Sequence, residues 1–132
     1  MSVAVVDASA LVAVLASTSA DANWARRAVA AHSVAAPHLV CFEVPNVLRR
    51  VERRGALSAD VAAMAHRELV EFPVELWPYR IFAQRAWELR ANATAYDAAY
   101  LALAELLDAP LLTLDRRLTS VPGTRCEIRT PP

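Results

Sequence analysis

The sequence predicts a single α/β domain over residues 1–132, in which a parallel sheet of about four to five short strands is flanked by helices on both faces. Hydrophobic residues make up 56% of the 132 residues, which is enough to build one sizeable core. Only 2 residues are glycine, which argues against a loop-rich or all-β protein. Short apolar runs alternate with longer apolar segments of helical length. That alternation is typical of an α/β/α sandwich.

The N-terminal segment starts with a strand and continues with helices. Residues 3–6 form a short β-branched run of the kind found in strands buried on both faces. Asp7 ends that run, and the apolar residues 8–16 follow as a helix. A second helix is predicted over residues 21–31, and a short second strand over residues 34–36. Strand, acidic residue and helix in this order are the beginning of an α/β unit.

Two helices are predicted in the middle of the chain. Residues 38–55 form the first, with Gly55 as its stop signal. Pro45 must lie in the first turn or kink the helix, because its ring clashes with the carbonyl group four residues earlier. Ser58 is the predicted N-cap of the next helix. The apolar stripe of that helix is expected to consist of Val61, Met64, Ala65 and Leu69.

The second half of the chain continues the alternation of strands and helices. Strands are predicted at residues 73–77, 110–114 and 125–129. A helix is predicted over residues 81–91. Its inward-facing residues are expected to be Phe82, Ala86 and Leu89.

The helix that begins after Thr94 organises the rest of the chain. Thr94 is its predicted N-cap, because a hydroxyl there accepts a hydrogen bond from a free backbone N–H. Residues 98–104 are all apolar, and a helix that is apolar all round is buried. Asp97 lies in its first turn, where an unpaired buried charge needs a cation, a strong hydrogen-bond partner or an exposed cleft. The alternative is that Asp97 only decorates the helix start, where acidic residues are favoured.

Four acidic residues are predicted to meet at one edge of the sheet. Asp7 and Asp115 each follow a strand, and open parallel sheets bind ligands at the carboxyl ends of their strands. Glu43 and Asp97 lie early in helices. Four carboxylates in one crevice repel one another, and a divalent cation with a preference for hard oxygen ligands, Mg²⁺ or Mn²⁺, removes that conflict. The structural alternatives are N-caps for Asp7 and Asp115 and an ordinary helix position for Glu43.

Charge and cysteine content narrow the classes of protein. The formal net charge is zero, so no global basic field indicates nucleic-acid binding. All 14 basic residues are arginines, and six of them cluster, four within residues 49–54 and two at residues 116–117. These clusters form either a local phosphate-binding patch or solvated faces. Cys41 and Cys126 have no metal-binding spacing and are expected to be small core residues in a reduced, cytoplasmic compartment. No apolar run is long enough to cross a membrane.

Four segments of the chain carry a family resemblance. They are VVDASAL with Asp7, EVPNVLRR with Glu43, YDAAYLALA with Asp97, and LLTLDRRL with Asp115. These segments resemble PIN-domain ribonucleases and, more narrowly, the VapC toxins of bacterial type II VapBC toxin–antitoxin systems. The resemblance covers essentially the whole chain, with the four acidic residues in the family's order and spacing. It implies a single PIN-like domain.

The resemblance also implies an active site and a reaction. The implied catalytic and metal-binding residues are Asp7, Glu43, Asp97 and Asp115, which would hold Mg²⁺ or Mn²⁺. The implied supporting polar residues are Ser9, Asn46 and Thr113. Arg116 or Arg50 would hold the RNA backbone, with a solvated charge as the alternative for either. The implied reaction is endonucleolytic hydrolysis of RNA by metal-activated water, which leaves 5′-phosphate and 3′-hydroxyl ends. Pro45 departs from the small residue commoner at its position.

The resemblance further implies protein partners. A VapC toxin is silenced by a VapB antitoxin, whose C-terminal segment wraps the toxin and fills the acidic cleft. The antitoxin's N-terminal part binds operator DNA, so DNA is contacted only through the antitoxin, and VapC-like toxins usually form homodimers. The residues considered for the antitoxin groove, with the core as their alternative, are Leu11, Val14, Leu15, Trp24 and Val29.

Four other functions are weighed against this interpretation. A phosphoryl-accepting receiver domain requires a lysine, and the chain has none. A phosphatase with a nucleophilic aspartate has a second aspartate two residues later, where this chain has Ser9. A histidine-dependent ribonuclease is disfavoured because His32, His38 and His66 lie in unrelated contexts and are expected to be surface or packing residues. A non-catalytic PIN-like binding or regulatory module remains the main alternative.

Overall fold

The computed structural model describes all 132 residues as a five-stranded sheet with six α-helices. The strands are β1 (Val3–Val6), β2 (Ser33–Pro37), β3 (Val74–Trp77), β4 (Leu111–Leu112) and β5 (Ile128–Arg129). Their order in the sheet is β3-β2-β1-β4-β5, and every neighbouring pair is parallel. The predicted parallel α/β sheet is therefore confirmed.

The helices separate into two layers. They are α1 (Ala8–Ala16), α2 (Ala20–Ala30), α3 (Val40–Arg53), α4 (Ala59–Glu71), α5 (Ala83–Glu88) and α6 (Ala95–Leu106), with 3₁₀ turns at Tyr79–Ile81 and Arg116–Ser120. Helices α1 to α4 contact one another, whereas α5 packs on α6, and α6 packs on β1, β2 and β4. Right-handed crossovers explain this division, since the chain moves from β1 to β3 in one direction and then returns past β1 to β4. None of the helices is long and apolar enough to cross a bilayer.

Helix α6 forms the centre of the core, as its apolar sequence predicts. All seven residues from Ala98 to Ala104 are buried. Thr94 caps the helix, with its hydroxyl accepting a hydrogen bond from the Asp97 amide at 3.1 Å. Ser58 likewise caps α4 by accepting a bond from Val61. Both predicted N-caps are confirmed.

Several predicted boundaries differ from the structure. The helix predicted over 81–91 is divided into the 3₁₀ turn and α5, although the predicted inward residues Phe82, Ala86 and Leu89 are all buried. β4 and β5 each pair over only two residues, fewer than the strands predicted there. Pro45 lies inside α3, beyond its first turn, because α3 begins at Val40.

The buried face of α4 was predicted incorrectly. Its buried residues are Ala62, Ala65 and Leu69, whereas Val61 and Met64 are 44% and 55% exposed. Small alanines let α4 approach α1 and α3 closely, and a stripe chosen for the size of its apolar side chains misses them. The core placement of Cys41 is also wrong, because it lies on the outer face of α3 and is exposed, while Cys126 is partly buried.

Candidate active site

The carboxyl edge of the sheet has one topological switch point, between β1 and β4. From β1 the chain adds β2 and β3 on one side and later places β4 on the other. Crevices at such points are the usual ligand sites of open parallel sheets. Asp7 directly follows β1, and Asp115 lies three residues beyond β4. Both predicted strand-end aspartates therefore lie at the switch point.

Asp7 is a buried carboxylate that accepts three hydrogen bonds. It is 7% exposed and accepts bonds from the Thr113 hydroxyl at 2.5 Å, the Ser9 hydroxyl at 2.7 Å and the Ala10 amide at 3.0 Å. The last bond caps α1, so the N-cap alternative also describes this residue correctly. Burial raises the pKa of Asp7, the hydrogen bonds oppose that rise, and the negative charge of Asp115 adds to it. No cation pairs with Asp7 in the structure.

Ser9 and Thr113 hold the two strand ends together. The Ser9 hydroxyl accepts a bond from the Leu114 amide at 3.0 Å while donating to Asp7. The Thr113 hydroxyl accepts a bond from the Asp115 amide at 2.9 Å while donating to Asp7. Each hydroxyl thus connects the segment after β1 to the segment after β4. Two of the three predicted supporting residues, Ser9 and Thr113, therefore contact a predicted site carboxylate.

Asp97 lies at the start of α6, beside Asp115. Thr94 caps the helix, so the helix start does not depend on Asp97. Burial raises the pKa of the Asp97 carboxyl, and the charge of Asp115 raises it further, while Arg117 lowers it. A cavity of about 380 Å³ opens over Asp97, Asp115 and Arg117. The first turn of α6 thus places a carboxylate in an open cleft beside Asp115.

Glu43 is connected to α6 by a residue that sequence reasoning missed. The Tyr100 hydroxyl donates a 2.6 Å hydrogen bond to Glu43, and this bond joins α3 to α6 across the carboxyl edge. Tyr100 is 3% exposed, and its pKa is raised by burial, by the bond to Glu43 and by the charges of Asp7 and Asp97. The signal was available in the sequence, since Tyr100 is the only polar side chain within the apolar run and lies one turn after Asp97.

Asp115 is held by a second residue that the sequence interpretation missed. The Arg117 guanidinium binds it through two hydrogen bonds, at 2.9 and 2.7 Å, and the Arg117 amide donates a third at 3.1 Å. These contacts lower the pKa of the Asp115 carboxyl. Asp115 therefore also caps the following 3₁₀ turn. With Arg117 on Asp115 and Tyr100 on Glu43, the acidic residues do not form a ready-made metal cage.

The remaining predicted residues lie further out. Asn46 and Arg50 are exposed on α3, one and two turns after Glu43. Arg116 forms a 3.7 Å ion pair with Asp21 of α2 and donates to the Pro131 carbonyl at 3.3 Å, so it is directed away from Asp115. Among the residues considered for the antitoxin groove, Leu11 is buried in the core. The others are partly buried, namely Val14, Leu15, Trp24 and Val29. His38 and His66 are exposed, and His32 contacts the Ala28 carbonyl at 2.7 Å.

The donor chemistry of this acidic site fits a hard divalent cation. We use the name acidic site for Asp7, Glu43, Asp97 and Asp115. All four offer carboxylate oxygens, the ligands that Mg²⁺ and Mn²⁺ prefer. The pKa values of Asp7 and Asp97 are raised, which means that the folded chain carries negative charge there at a free-energy cost. A bound cation would offset that cost, so the residues present suit one.

Comparison with known proteins shows that the chain is similar to PIN domains and to ribonucleases named VapC. The family profile described as "PIN domain" matches residues 4–123. Ribonuclease VapC9 of Mycobacterium tuberculosis is 39% identical over 128 residues, which cover 97% of this chain and 98% of the relative. Ribonuclease VapC1 of the same species is 40% identical over 126 residues, with 95% of each covered. A crystal structure from Pyrobaculum aerophilum superimposes with a TM-score of 0.68 at 25% identity, covering 97% of this chain and 83% of that one.

Proposed function

This chain belongs to the PIN-domain family, among relatives named VapC ribonucleases, and from that premise we propose that it is the toxin of a type II toxin–antitoxin system. Its activity would be that of a Mg²⁺- or Mn²⁺-dependent endoribonuclease. The observation that carries the proposal is the position of Asp7. It is buried at the switch point, has no cationic partner, and lies beside Asp115, which further raises its pKa. Burial makes the ionised Asp7 carboxylate costly in free energy, and a role in binding a metal ion for catalysis would explain why the residue is there.

We assign the metal to the acidic site, with all four carboxylates as its candidate ligands. When bound, a divalent cation lowers the pKa of water and stabilises charge on phosphate oxygens. In hydrolysis of the phosphodiester, the water oxygen forms a bond to phosphorus while the bond from phosphorus to the 3′ oxygen breaks. The proton lost by the water is balanced by the proton gained at the 3′ oxygen. The products carry 5′-phosphate and 3′-hydroxyl ends.

The residues around the carboxylates have orienting roles in this proposal. Ser9 and Thr113 fix both oxygens of Asp7, and Tyr100 fixes one oxygen of Glu43. Arg117 is 87% exposed and lies on the rim of the cavity above Asp97 and Asp115, where its guanidinium is placed to bind a substrate phosphate. Arg50 and Arg116 are more distant candidates for the RNA backbone, and Asn46 is a polar neighbour of the site.

A VapB-type antitoxin is the proposed partner, because the VapC toxins that the chain resembles are silenced by VapB antitoxins. The partly buried side chains on α1 and α2 leave apolar surface for one of its segments, notably Val14, Leu15 and Trp24. A basic antitoxin group would suit the acidic site. We further propose a homodimer acting in the cytoplasm. Operator DNA would be bound through the antitoxin, since this chain has no net charge.

The proposal is tested by cleavage of RNA with protein that has been freed of its antitoxin. Total RNA is incubated with wild-type protein in Mg²⁺ or Mn²⁺, with and without EDTA, beside the Asp7→Asn variant. Discrete fragments with 5′-phosphate ends, absent with EDTA and with the variant, are expected. Asp60→Asn, an exposed acid in the first turn of α4, is the matched control and should cleave normally.

Three results would contradict the proposal. Equal cleavage by Asp7→Asn would mean that the activity comes from a contaminant or from another site. Cyclic phosphate ends produced in EDTA would indicate a histidine-dependent ribonuclease. No cleavage of any RNA by folded, metal-loaded protein would favour the non-catalytic binding module.

A further inference from the structure

An apolar cavity of about 260 Å³ lies beside the acidic site at the carboxyl edge. It is enclosed by the segment between β2 and α3, the 3₁₀ turn after β3, and the first turns of α6. We call it the aromatic pocket. The lining residues that carry the argument are His38, Leu39, Tyr79, Phe82, Tyr96 and Ala99. None of the sequence motifs described above predicted it.

The pocket adjoins the starts of α3 and α6, the two helices that carry Glu43 and Asp97 of the acidic site. Leu39 precedes Glu43 by four residues, and the Glu43 amide donates to the Leu39 carbonyl at 3.0 Å, so both lie on one helical face. Tyr96 precedes Tyr100 by the same spacing on α6. Because Tyr100 and Glu43 are hydrogen-bonded to each other, the pocket begins one helical turn, about 5.4 Å, before that bond on both helices. A ligand in the pocket would therefore lie about one helical turn from the Glu43 carboxylate.

The chemistry of the pocket differs sharply from that of the acidic site. Neither a carboxylate nor a guanidinium group lines the pocket. Phe82 is buried, and Tyr79 meets it edge to face with ring centroids 5.6 Å apart. Tyr79 and Tyr96 remain 52% and 60% exposed, so their rings offer free faces at the mouth. His38 is exposed there and supplies ring nitrogens that can donate or accept hydrogen bonds.

These features match one kind of occupant, an unpaired nucleobase. Proteins that bind single-stranded RNA stack splayed-out bases on exposed aromatic rings and read their edges with polar groups. The volume is below the roughly 300–1,000 Å³ of pockets for drug-sized ligands, which suits one ring system better than a peptide helix. A base here would leave its phosphate on the side of the acidic site.

We propose that the aromatic pocket is a nucleobase subsite, which holds an unpaired base next to the phosphodiester at the acidic site. This inference rests on the proposed function, because it takes RNA as the substrate. It assigns Tyr79 and Tyr96 as the residues that select single-stranded over paired RNA. A paired base cannot enter, since its face is covered by its neighbours in the duplex.

The first experiment measures binding separately from cleavage. Full-length Asp7→Asn protein is titrated in Mn²⁺ with a fluorescent single-stranded RNA, and with copies that lack one base at successive positions. We expect one abasic position to weaken binding about 5- to 150-fold, the value of one stacked base. Adding Tyr79→Ala should weaken binding of the intact RNA by a similar factor and abolish the difference between the two RNAs. If the abasic positions weaken binding to the same extent in proteins with and without the Tyr79 ring, the proposed subsite is wrong.

A second variant separates loss of the subsite from loss of fold. Ala95→Leu adds bulk at the pocket wall without removing a ring, at an exposed position in the first turn of α6. It should also abolish the preference for the intact RNA. Trp87→Ala removes an equally exposed ring on α5, which stacks under Arg90 at 4.5 Å outside the pocket, and should bind both RNAs as the parent does. Unchanged preference in Ala95→Leu would contradict the proposal.

The remaining outcomes distinguish the occupants and the two proposals. If Tyr79→Ala lowers the mass measured by light scattering but not the preference for the intact RNA, a second copy of the chain occupies the pocket and the subsite is wrong. If wild-type protein cleaves no RNA, yet the preference depends on Tyr79 and Ala95, the ribonuclease activity fails while the base subsite stands. If RNA is cleaved but no abasic position matters, only the subsite fails.

Discussion

The Thr113 hydroxyl, beyond β4, donates a 2.5 Å hydrogen bond to the carboxylate of Asp7 at the end of β1. The same oxygen accepts a bond from the Asp115 amide at 2.9 Å, and the Thr113 side chain is fully buried. One hydroxyl therefore positions two of the four acidic residues relative to each other. Its two bonds cross the switch point where the substrate is proposed to bind.

Replacing Thr113 with valine keeps the shape of the side chain and removes both hydrogen bonds. The buried Asp7 carboxylate loses a donor and the Asp115 amide loses its acceptor, which should cost about 1–3 kcal/mol of stability. The pKa of Asp7 should rise further, since the Thr113 bond opposes the effect of burial. Urea denaturation measures the loss of stability, and the pH dependence of the cleavage rate measures the rise in the pKa of Asp7. Thr113→Ser, which keeps the hydroxyl, is the control, and equal stability of the valine variant would disprove the linkage.

Replacing Asp7 with asparagine should stabilise the metal-free protein at neutral pH. The folded-state pKa of Asp7 is raised, so its contribution to stability is fully present below the unfolded value of 3.8 and is lost as pH rises through the folded value. Asparagine keeps the α1 cap and carries no charge. In EDTA, the melting temperature of wild type relative to Asp7→Asn should therefore fall as pH rises from 4 towards neutrality. The fall should end once pH exceeds the folded-state pKa of Asp7.

Adding metal should reverse the order of stability. Mn²⁺ at about 100 times its Kd stabilises a protein that binds it by about 2.7 kcal/mol. Wild-type protein should gain this, and Asp7→Asn should gain much less. Wild-type protein that is the more stable of the two at neutral pH in EDTA would show that solvation of Asp7 does not limit stability.

Replacing Glu105 with glutamine should weaken the attachment of the C-terminal segment. Glu105 accepts bonds from Arg85 of α5 at 2.6 Å and from the Arg125 amide at 3.0 Å, and Arg85 also donates to the Gly123 carbonyl at 2.7 Å. The loss of charge should cost about 1–3 kcal/mol by urea denaturation. Cleavage by the folded variant should be unchanged, because these contacts lie away from the acidic site.

The Cys126 thiol reports on the same change. Burial and the charge of Glu105 raise its pKa to about 11. In a Cys41→Ser background, which removes the exposed thiol, the pH dependence of alkylation should shift to lower pH when Glu105 becomes glutamine. An unchanged alkylation profile would mean that Glu105 does not act on Cys126.

Local signals predicted much of the fold and the composition of the site. The bounds of β1 and α1 agree with the sequence pattern, because an apolar run, an acidic N-cap and an apolar helix follow one another without ambiguity. Thr94 and Ser58 were recognisable as caps because capping depends on residues only three positions apart. Placing Asp7 and Asp115 together required only that strands in a parallel sheet end at one edge.

Contacts between distant segments were not predictable in the same way. The bond between Tyr100 and Glu43 joins residues that are 57 positions apart, and it depends on how α3 and α6 approach each other at the carboxyl edge. The choice of Arg117 rather than Arg116 for Asp115 depends on the direction of a 3₁₀ turn, which sends Arg116 towards Asp21. Two adjacent arginines are equivalent in sequence and become different only when the backbone geometry is known.

Replacing Arg117 with alanine should therefore separate metal binding from substrate binding. The guanidinium occupies both oxygens of Asp115, so its removal should free a ligand and make Mn²⁺ binding to RNA-free protein about two- to five-fold tighter. Binding of RNA at saturating metal should become weaker, because a phosphate contact is lost. Arg116→Ala removes the same charge from the neighbouring residue, which faces Asp21, and should leave Mn²⁺ binding unchanged. Calorimetric titration with Mn²⁺ and fluorescence titration with RNA measure the two effects. If Mn²⁺ binds Arg117→Ala no more tightly than Arg116→Ala, Arg117 does not compete with the metal for Asp115.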